Sequence, residues 1–431
     1  MAETSSDGLI SGLRWAWNQI TAQFWFRVSL FAIGAVLTTL VAKFVAPVVP
    51  QWIIESVTED ATWDILSILA SAMLVVATFS LGTMVQAYAA ASDSATPRAT
   101  RILIDDPFSQ NVLATFLGAF VFSIVGLVAL GFGFYSAEGR TLLLVAAGLV
   151  ILIVISTFFA WLDHLANMVR LGETQSKIEA RARIALDARA EAPLLGGVPI
   201  TEADRVGMPL MGTDTFYVQH LDMKALQEVA EKAGGRVAVN CQAGAITSPV
   251  RPLVWTSWPP DADEREALMA AFTLGSERSF DQDPRFCLQV LAEVGVRALS
   301  PGINDPGTAI GILVGQQRLL TRWGARQRGS DPDGEPPFPR VAVAALDPRD
   351  LFDDAFGPFL RDGAGIIEVG LRLQKALTAL AELGLPDFAE EARRLSRGAL
   401  AQAKEALVTA EDFDRLADAA RPLLSPDTVA T

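Results

Sequence analysis

Charged side chains are missing from three long stretches in the first third of the chain: between Asp64 and Asp93, between Asp106 and Glu138, and between Arg140 and Asp163. A helix needs about 20 apolar residues to cross a bilayer, and each stretch is longer than that. A fourth stretch, from Phe24 to Val49, is interrupted only by Arg27 and Lys43 near its ends, where long basic side chains snorkel to the headgroups. The pattern predicts a membrane domain over residues 1–165 with spans at 24–49, 65–89, 112–134 and 141–162. Tryptophans fall at the expected interfaces, with Trp15, Trp17 and Trp25 ahead of the first span, Trp52 and Trp63 around the first loop, and Trp161 closing the fourth span.

The loops set an orientation. Arg98 and Arg101 lie between spans two and three, and Arg170, Lys177, Arg181 and Arg183 follow span four. The loop from Pro50 to Asp64 carries Glu55, Glu59 and Asp60 but no Lys or Arg. The positive-inside rule therefore predicts both termini in the cytoplasm. The segment before Phe24 is too polar for a signal peptide, so the first span is expected to remain as an anchor.

After the last span the pattern changes. Charge returns at Asp163 and the helical character continues without a breaker toward Ala190, predicting a connector over 166–195. A small α/β module is expected over 196–260. Strand-like Thr215 to His220 precedes helical spacing at Met223, Leu226, Val229 and Ala230, Gly234 and Gly235 stop that helix, and Arg236 to Cys241 reads as strand again. Ala243 to Trp255 resembles the turn of lipoyl-like barrel modules but offers no acceptor lysine, which makes it a structural β segment. Residues 261–431 read as mainly helical: Cys287, Val290, Leu291, Val294 and Ala298 after Pro284, and Ile310, Leu313, Val314 and Leu320 after Pro306, predict an αα-hairpin with Cys287 in its core. Val341 to Leu346 fits either a strand or the start of the last helical bundle. The fold class is thus a four-span α-helical membrane domain, N-in and C-in, plus a cytoplasmic α+β domain.

A net charge of −14 over 431 residues argues against nucleic acid as a partner. Two cysteines and two histidines provide neither a disulfide framework nor a metal constellation. No Walker loop, dinucleotide fingerprint or nucleophile–base pair is present, so no catalytic residue, metal or cofactor is expected.

Three constellations remain. On span two, Ser67, Ser71, Thr78, Gly82 and Gln86 fall within one arc at about 100° per residue, interrupted by Val75. Such a seam lines a water path or packs helices together. At the inner membrane face stand Asp93, Arg98 and His164, where a histidine senses pH or takes a local hydrogen bond. The densest polar cluster is Ser276 to Arg285, with Arg278, Asp281, Asp283 and Arg285, followed by Arg297 to Pro306, with Arg297, Asn304 and Asp305. Asp283-Pro284 and Asp305-Pro306 each match the N-cap and first-turn proline of a helix. The additional charges point to an ion-pair network that holds the turn at Asn304 against the Arg278 to Arg285 segment, or to an anion site at helix N-termini.

The phrases Glu277 to Pro284, Arg297 to Pro306 and Ser94 to Arg98, with His164 behind the last span, resemble the domain of unknown function 2254, a family of predicted bacterial membrane proteins. The likeness covers nearly the whole chain, although Gly307 stands where the family pattern is commonly bulky and aromatic. It implies a bacterial inner-membrane location. Taken together, the expectation is a homo-oligomer in a lipid bilayer, channel or transport-related, with a regulatory cytoplasmic domain. A non-transporting anchored sensor or scaffold is the alternative.

Overall fold

The computed structural model describes residues 26, 29, 33, 34, 37, 59–94, 96–99, 107–135, 137–168, 171–327 and 335–424. The expected first span lies outside these apart from Phe26, Ser29, Ile33, Gly34 and Leu37, each of which is helical. The chain divides into two compact units, the first from residues 1–93 and 100–173 and the second from 94–99 and 174–431.

The first unit contains helices α1 (Glu59–Ser94), α2 (Pro107–Gly131) and α3 (Ala137–Met168). Three segments within them, Asp60–Ala89, Phe108–Gly131 and Gly139–Leu165, are long and apolar enough to cross a membrane. Their shared core is small: Leu69, Met73 and Ala77 of α1 meet Val112, Phe116 and Ala119 of α2 and Val154 and Trp161 of α3. Gly126 lets Leu66 and Leu143 come close, as small residues do where helices pack in lipid. Much of the remaining surface is apolar, with Val75, Phe79, Leu152 and Phe159 exposed by 66%, 64%, 66% and 66%. An aqueous protein seldom shows so much contiguous hydrocarbon, whereas a bilayer requires it. Trp161, expected in an interfacial belt, is instead 2% exposed and packed among these helices.

The next helix is α4 (Leu171–Glu191); residues 169 and 170, between it and α3, lie outside the described residues, and the expected continuity of the connector lies there with them. Helix α4 lies along α8 (Pro306–Gln327), with Ile178, Ala182 and Leu186 buried and a ladder of ion pairs outside: Glu179 with Arg318, Asp187 with Arg322, and Glu191 with Arg326. Exposed pairs of this kind contribute at most about 1 kcal/mol each.

A five-stranded sheet follows, in the order β1-β7-β4-β5-β2, from β1 (Val198–Pro199), β2 (Met208–Met211), β4 (Val237–Val239), β5 (Pro252–Thr256) and β7 (Val341–Val343). The β4 and β7 strands run parallel, while β5 is antiparallel to both β4 and β2. A second pair joins β3 (Tyr217–Leu221) to β6 (Phe272–Gly275). Helix α5 (Met223–Lys232) is capped by Asp222, whose side chain accepts from the Ala225 amide at 3.0 Å. It ends in a Schellman turn, with Gly234 at φ 65° and the Gly235 amide donating to the Ala230 carbonyl at 2.9 Å. The short helix α6 (Ala262–Ala270) precedes β6. Strands β6 and β7 both come from beyond residue 260, so the α/β part is completed by the stretch read as mainly helical.

The rest is helical: α7 (Pro284–Ala298), α9 (Pro348–Asp362), α10 (Ile367–Ala381), α11 (Pro386–Ala406) and α12 (Ala410–Leu424). Helix α7 packs on α8 and α9, and α10 packs on α8, α11 and α12. Cys287, Leu291 and Val294 of α7 are fully buried or nearly so.

Candidate functional site

The seam on α1 faces outward. Ser71, Thr78, Gly82 and Gln86 are exposed and Ser67 is half-buried, while Leu66, Leu69, Met73 and Ala77 take the packed side. Ser71 Oγ donates to the Ser67 carbonyl at 2.9 Å and Thr78 Oγ1 to the Leu74 carbonyl at 2.9 Å, so both hydroxyls are satisfied within the helix.

His164 is enclosed by aromatic rings. Its centroid lies 4.5 Å from that of Phe108 and 6.0 Å from that of Trp161, and its Nε2 is 3.5 Å from Ser109 Oγ. The side chain of Asp93 lies outside the described residues. Arg98 belongs to the second unit, where it pairs with Glu293 of α7.

The polar motif divides in two. At the start of α7, Asp283 accepts from the Phe286 amide at 3.0 Å and from Arg278 Nε at 2.7 Å. Arg278 Nη1 reaches Gln289 Oε1 at 2.5 Å, and its guanidinium sits 4.9 Å above the Phe286 ring. Arg285 Nε donates to Asp354 at 2.6 Å and Nη1 to Asp350, while Gln289 Nε2 closes the group on Asp354 at 2.6 Å. Burial pushes the Asp283 carboxyl up from the usual range against the pull of Arg278. Burial likewise raises Asp350 against the pull of Arg285. Gly244 at φ 88° lets a loop pass beside this pair, since a Cβ there would meet Asp283 Oδ2 at 2.2 Å. Asp281 stays exposed and bonds to Ser279 Oγ.

The other half of the motif is at the far end of α7. Its 15 residues place Arg297, Asn304 and Asp305 about 20 Å away from Asp283, so the turn at Asn304 is not held against the Arg278 to Arg285 segment. Asn304 is exposed at φ 50°, a left-handed position that asparagine tolerates well. Asp305 accepts from the Thr308 amide at 3.1 Å and from Thr308 Oγ1 at 2.6 Å, which caps α8.

Several polar residues of this region were not visible in the sequence. Asp350, Asp354 and Gln289 complete the Arg285 group from positions that read as ordinary helix surface. Arg189, near the end of α4, is 5% exposed and donates through Nη2 to Gln242 Oε1 at 2.5 Å and to the Ala344 carbonyl at 3.0 Å. No cluster of His, Cys, Asp and Glu suited to a metal ion occurs among the described residues.

Three apolar helices beside an α+β unit define a membrane-associated protein of mostly helical build. The chain belongs to the predicted membrane protein family DUF2254, whose match spans residues 21–379. It is similar to the uncharacterized protein Rv1290c of Mycobacterium tuberculosis and the uncharacterized protein Mb1321c of Mycobacterium bovis. Each is 25% identical over 298 residues, covering 65% of this chain and 55% of the relative. The matched region is thus little more than half the length of these relatives. No solved structure matches the chain.

Proposed function

We propose that this is a four-span protein of a bacterial inner membrane, with both termini and the second unit in the cytoplasm. In this reading several identical copies assemble, and the second unit controls a membrane part that passes a solute. The observation that carries it is the outward direction of Ser71, Thr78, Gly82 and Gln86 on α1. Hydroxyls bonded to their own helix tolerate lipid, but a glutamine amide facing hydrocarbon is unfavourable unless protein or water covers it. Water along a path formed between copies supplies that cover. The reading includes no catalytic step, cofactor or nucleic acid.

A non-transporting sensor or scaffold is the second reading. It is favoured by the Arg98–Glu293 pair, which fastens the segment following α1 to a helix of the second unit without needing a water path.

Cysteines placed at Ser71, Thr78 and Gln86 are expected to react with membrane-impermeant thiol reagents, while cysteines at Leu152 and Phe159 stay protected. Mass photometry in detergent is expected to return a multimer. Uniform protection together with a monomer removes the transport reading and leaves the sensor.

A further inference from the structure

Arg189 is buried with no acid beside it among the described residues. Burial alone sets its pKa down to about 10, with no neighbouring carboxylate opposing the shift. Its Nε has no acceptor among the described residues, and both acceptors at Nη2 are neutral, the Gln242 amide and the Ala344 carbonyl. A guanidinium in this setting is strongly unfavourable unless something supplies negative charge.

The same side chain lines a cavity of about 570 Å³ within the second unit. That is a common size for a small-molecule site. Its place in the fold is that of a ligand crevice. The parallel neighbours β4 and β7 run out at their carboxyl ends into Asn240 to Ala245 and Ala344 to Asp347, and both segments line it. Open α/β sheets bind ligands at that edge. The first turns of α7 and α9 also meet it, through Pro284 and Asp350. Their N-terminal ends favour an anion, a preference that the capping carboxylates of Asp283 and Asp347 already meet in part.

The charges inside are partly spent on one another. Asp283 is held by Arg278 and Asp350 by Arg285, while exposed Asp347 caps α9 through the Arg349 amide at 2.9 Å. Arg189 and the exposed Arg251 are the cavity's arginines that make no ion pair with a described residue. Arg251 lies close enough to Cys241, just beyond β4, for its charge to be felt by that thiol.

We propose that this cavity binds a small phosphate-bearing ligand, with Arg189 at its floor and Arg251 at its rim. Two guanidinium groups without an ion pair to a described residue suit a phosphoryl dianion, whose several oxygens offer acceptors to more than one donor. A monocarboxylate would leave part of that donor set unused.

The test uses the full chain in detergent, melted at constant ionic strength held with sodium chloride. Inorganic phosphate, pyrophosphate and adenosine monophosphate are each titrated, with acetate and succinate as carboxylate controls. The expected result is a saturable rise of the melting midpoint with at least one phosphate compound. A tighter response to adenosine monophosphate than to inorganic phosphate assigns the site to a phosphorylated metabolite, and the reverse assigns it to the free ion. Arg189→Gln is expected to abolish the response. Should that variant fail to fold, Arg251→Gln decides, because its side chain is exposed and is expected only to raise the half-saturating concentration about tenfold. No saturable rise, a rise unchanged by the substitutions, or a stronger response to the carboxylates overturns the proposal. The result is independent of what the spans conduct.

Discussion

Asp305 shows how far a single residue can be read from its neighbours in sequence. An aspartate before a proline announces a helix start, and the carboxylate indeed takes the Thr308 amide and hydroxyl. Those bonds hold its carboxyl below the usual carboxylate range. A group whose pKa is lower folded than unfolded stabilises above its unfolded value, near pH 4, and loses that contribution as the pH falls through the folded value. Asp305→Ala is expected to cost about 1 kcal/mol at neutral pH, and Asp305→Asn much less because asparagine caps nearly as well. Chemical denaturation at pH 7 and again near pH 3 checks both, and the deficits should shrink at the lower pH. Cys287 was equally legible as a core position. Burial pushes its thiol and that of Cys241 up from the ordinary range. Both should therefore resist maleimide in the folded chain and react in denaturant, a contrast that mass spectrometry reads directly. Arg189 was not legible: it stands in a helix full of alternating charge, and its burial comes from Gln242 and Ala344, which are 53 and 155 positions away.

At the level of elements, long periodic helices were legible, and so were β3 and β4 in the segments Thr215 to His220 and Arg236 to Cys241, whereas β6 was missed and β7 was left between strand and helix. The apolar hairpin of α7 and α8 followed from its spacing and its two Asp-Pro starts. The β6 and β7 strands have only four and three residues, too few for a period to show. Val341 to Val343 is buried on both faces, so it reads as an apolar run rather than an alternation. Glycine positions now separate packing from propensity. A Cβ on Gly295 of α7 would stand 2.5 Å from Phe359 of α9, a ring only 1% exposed and without room to yield. Gly295→Ala is expected to destabilise the second unit by roughly 1–3 kcal/mol through overpacking. A Cβ on Gly311 of α8 would meet its nearest neighbour, Gln175, at an ordinary 3.6 Å. There alanine removes a helix-interior glycine and should stabilise by about 0.5–1 kcal/mol. Thermal unfolding of the two variants side by side should give shifts of opposite sign.

At the level of the whole molecule, Arg98 is the residue at which the proposed control of the spans by the second unit can be tested. The sequence placed it in a basic loop, useful for orientation. The structure adds that residues 94–99 group with the second unit and that Arg98 pairs with Glu293. The two side chains are 59% and 32% exposed, so the pair contributes no more than about 1 kcal/mol to stability. Its removal is therefore a clean probe, changing a connection without unfolding what it connects. If the second unit controls the membrane part through this segment, Arg98→Glu should leave the melting midpoint nearly unchanged. It should, however, alter the rate at which a cysteine at Gln86 or Thr78 is labelled from the aqueous phase. The exchanged pair, Arg98→Glu with Glu293→Arg, should bring the rate back toward that of the parent, because the same attraction is restored with its ends reversed. Labelling that is indifferent to Arg98→Glu would leave the contact as local packing, and control would then have to run through the chain connection from α3 to α4. The exchange also restores the net charge, so Arg98→Glu combined with Glu405→Arg, at an exposed position of α11, is the control: it cancels the added negative charge without rebuilding the pair and should not rescue the rate.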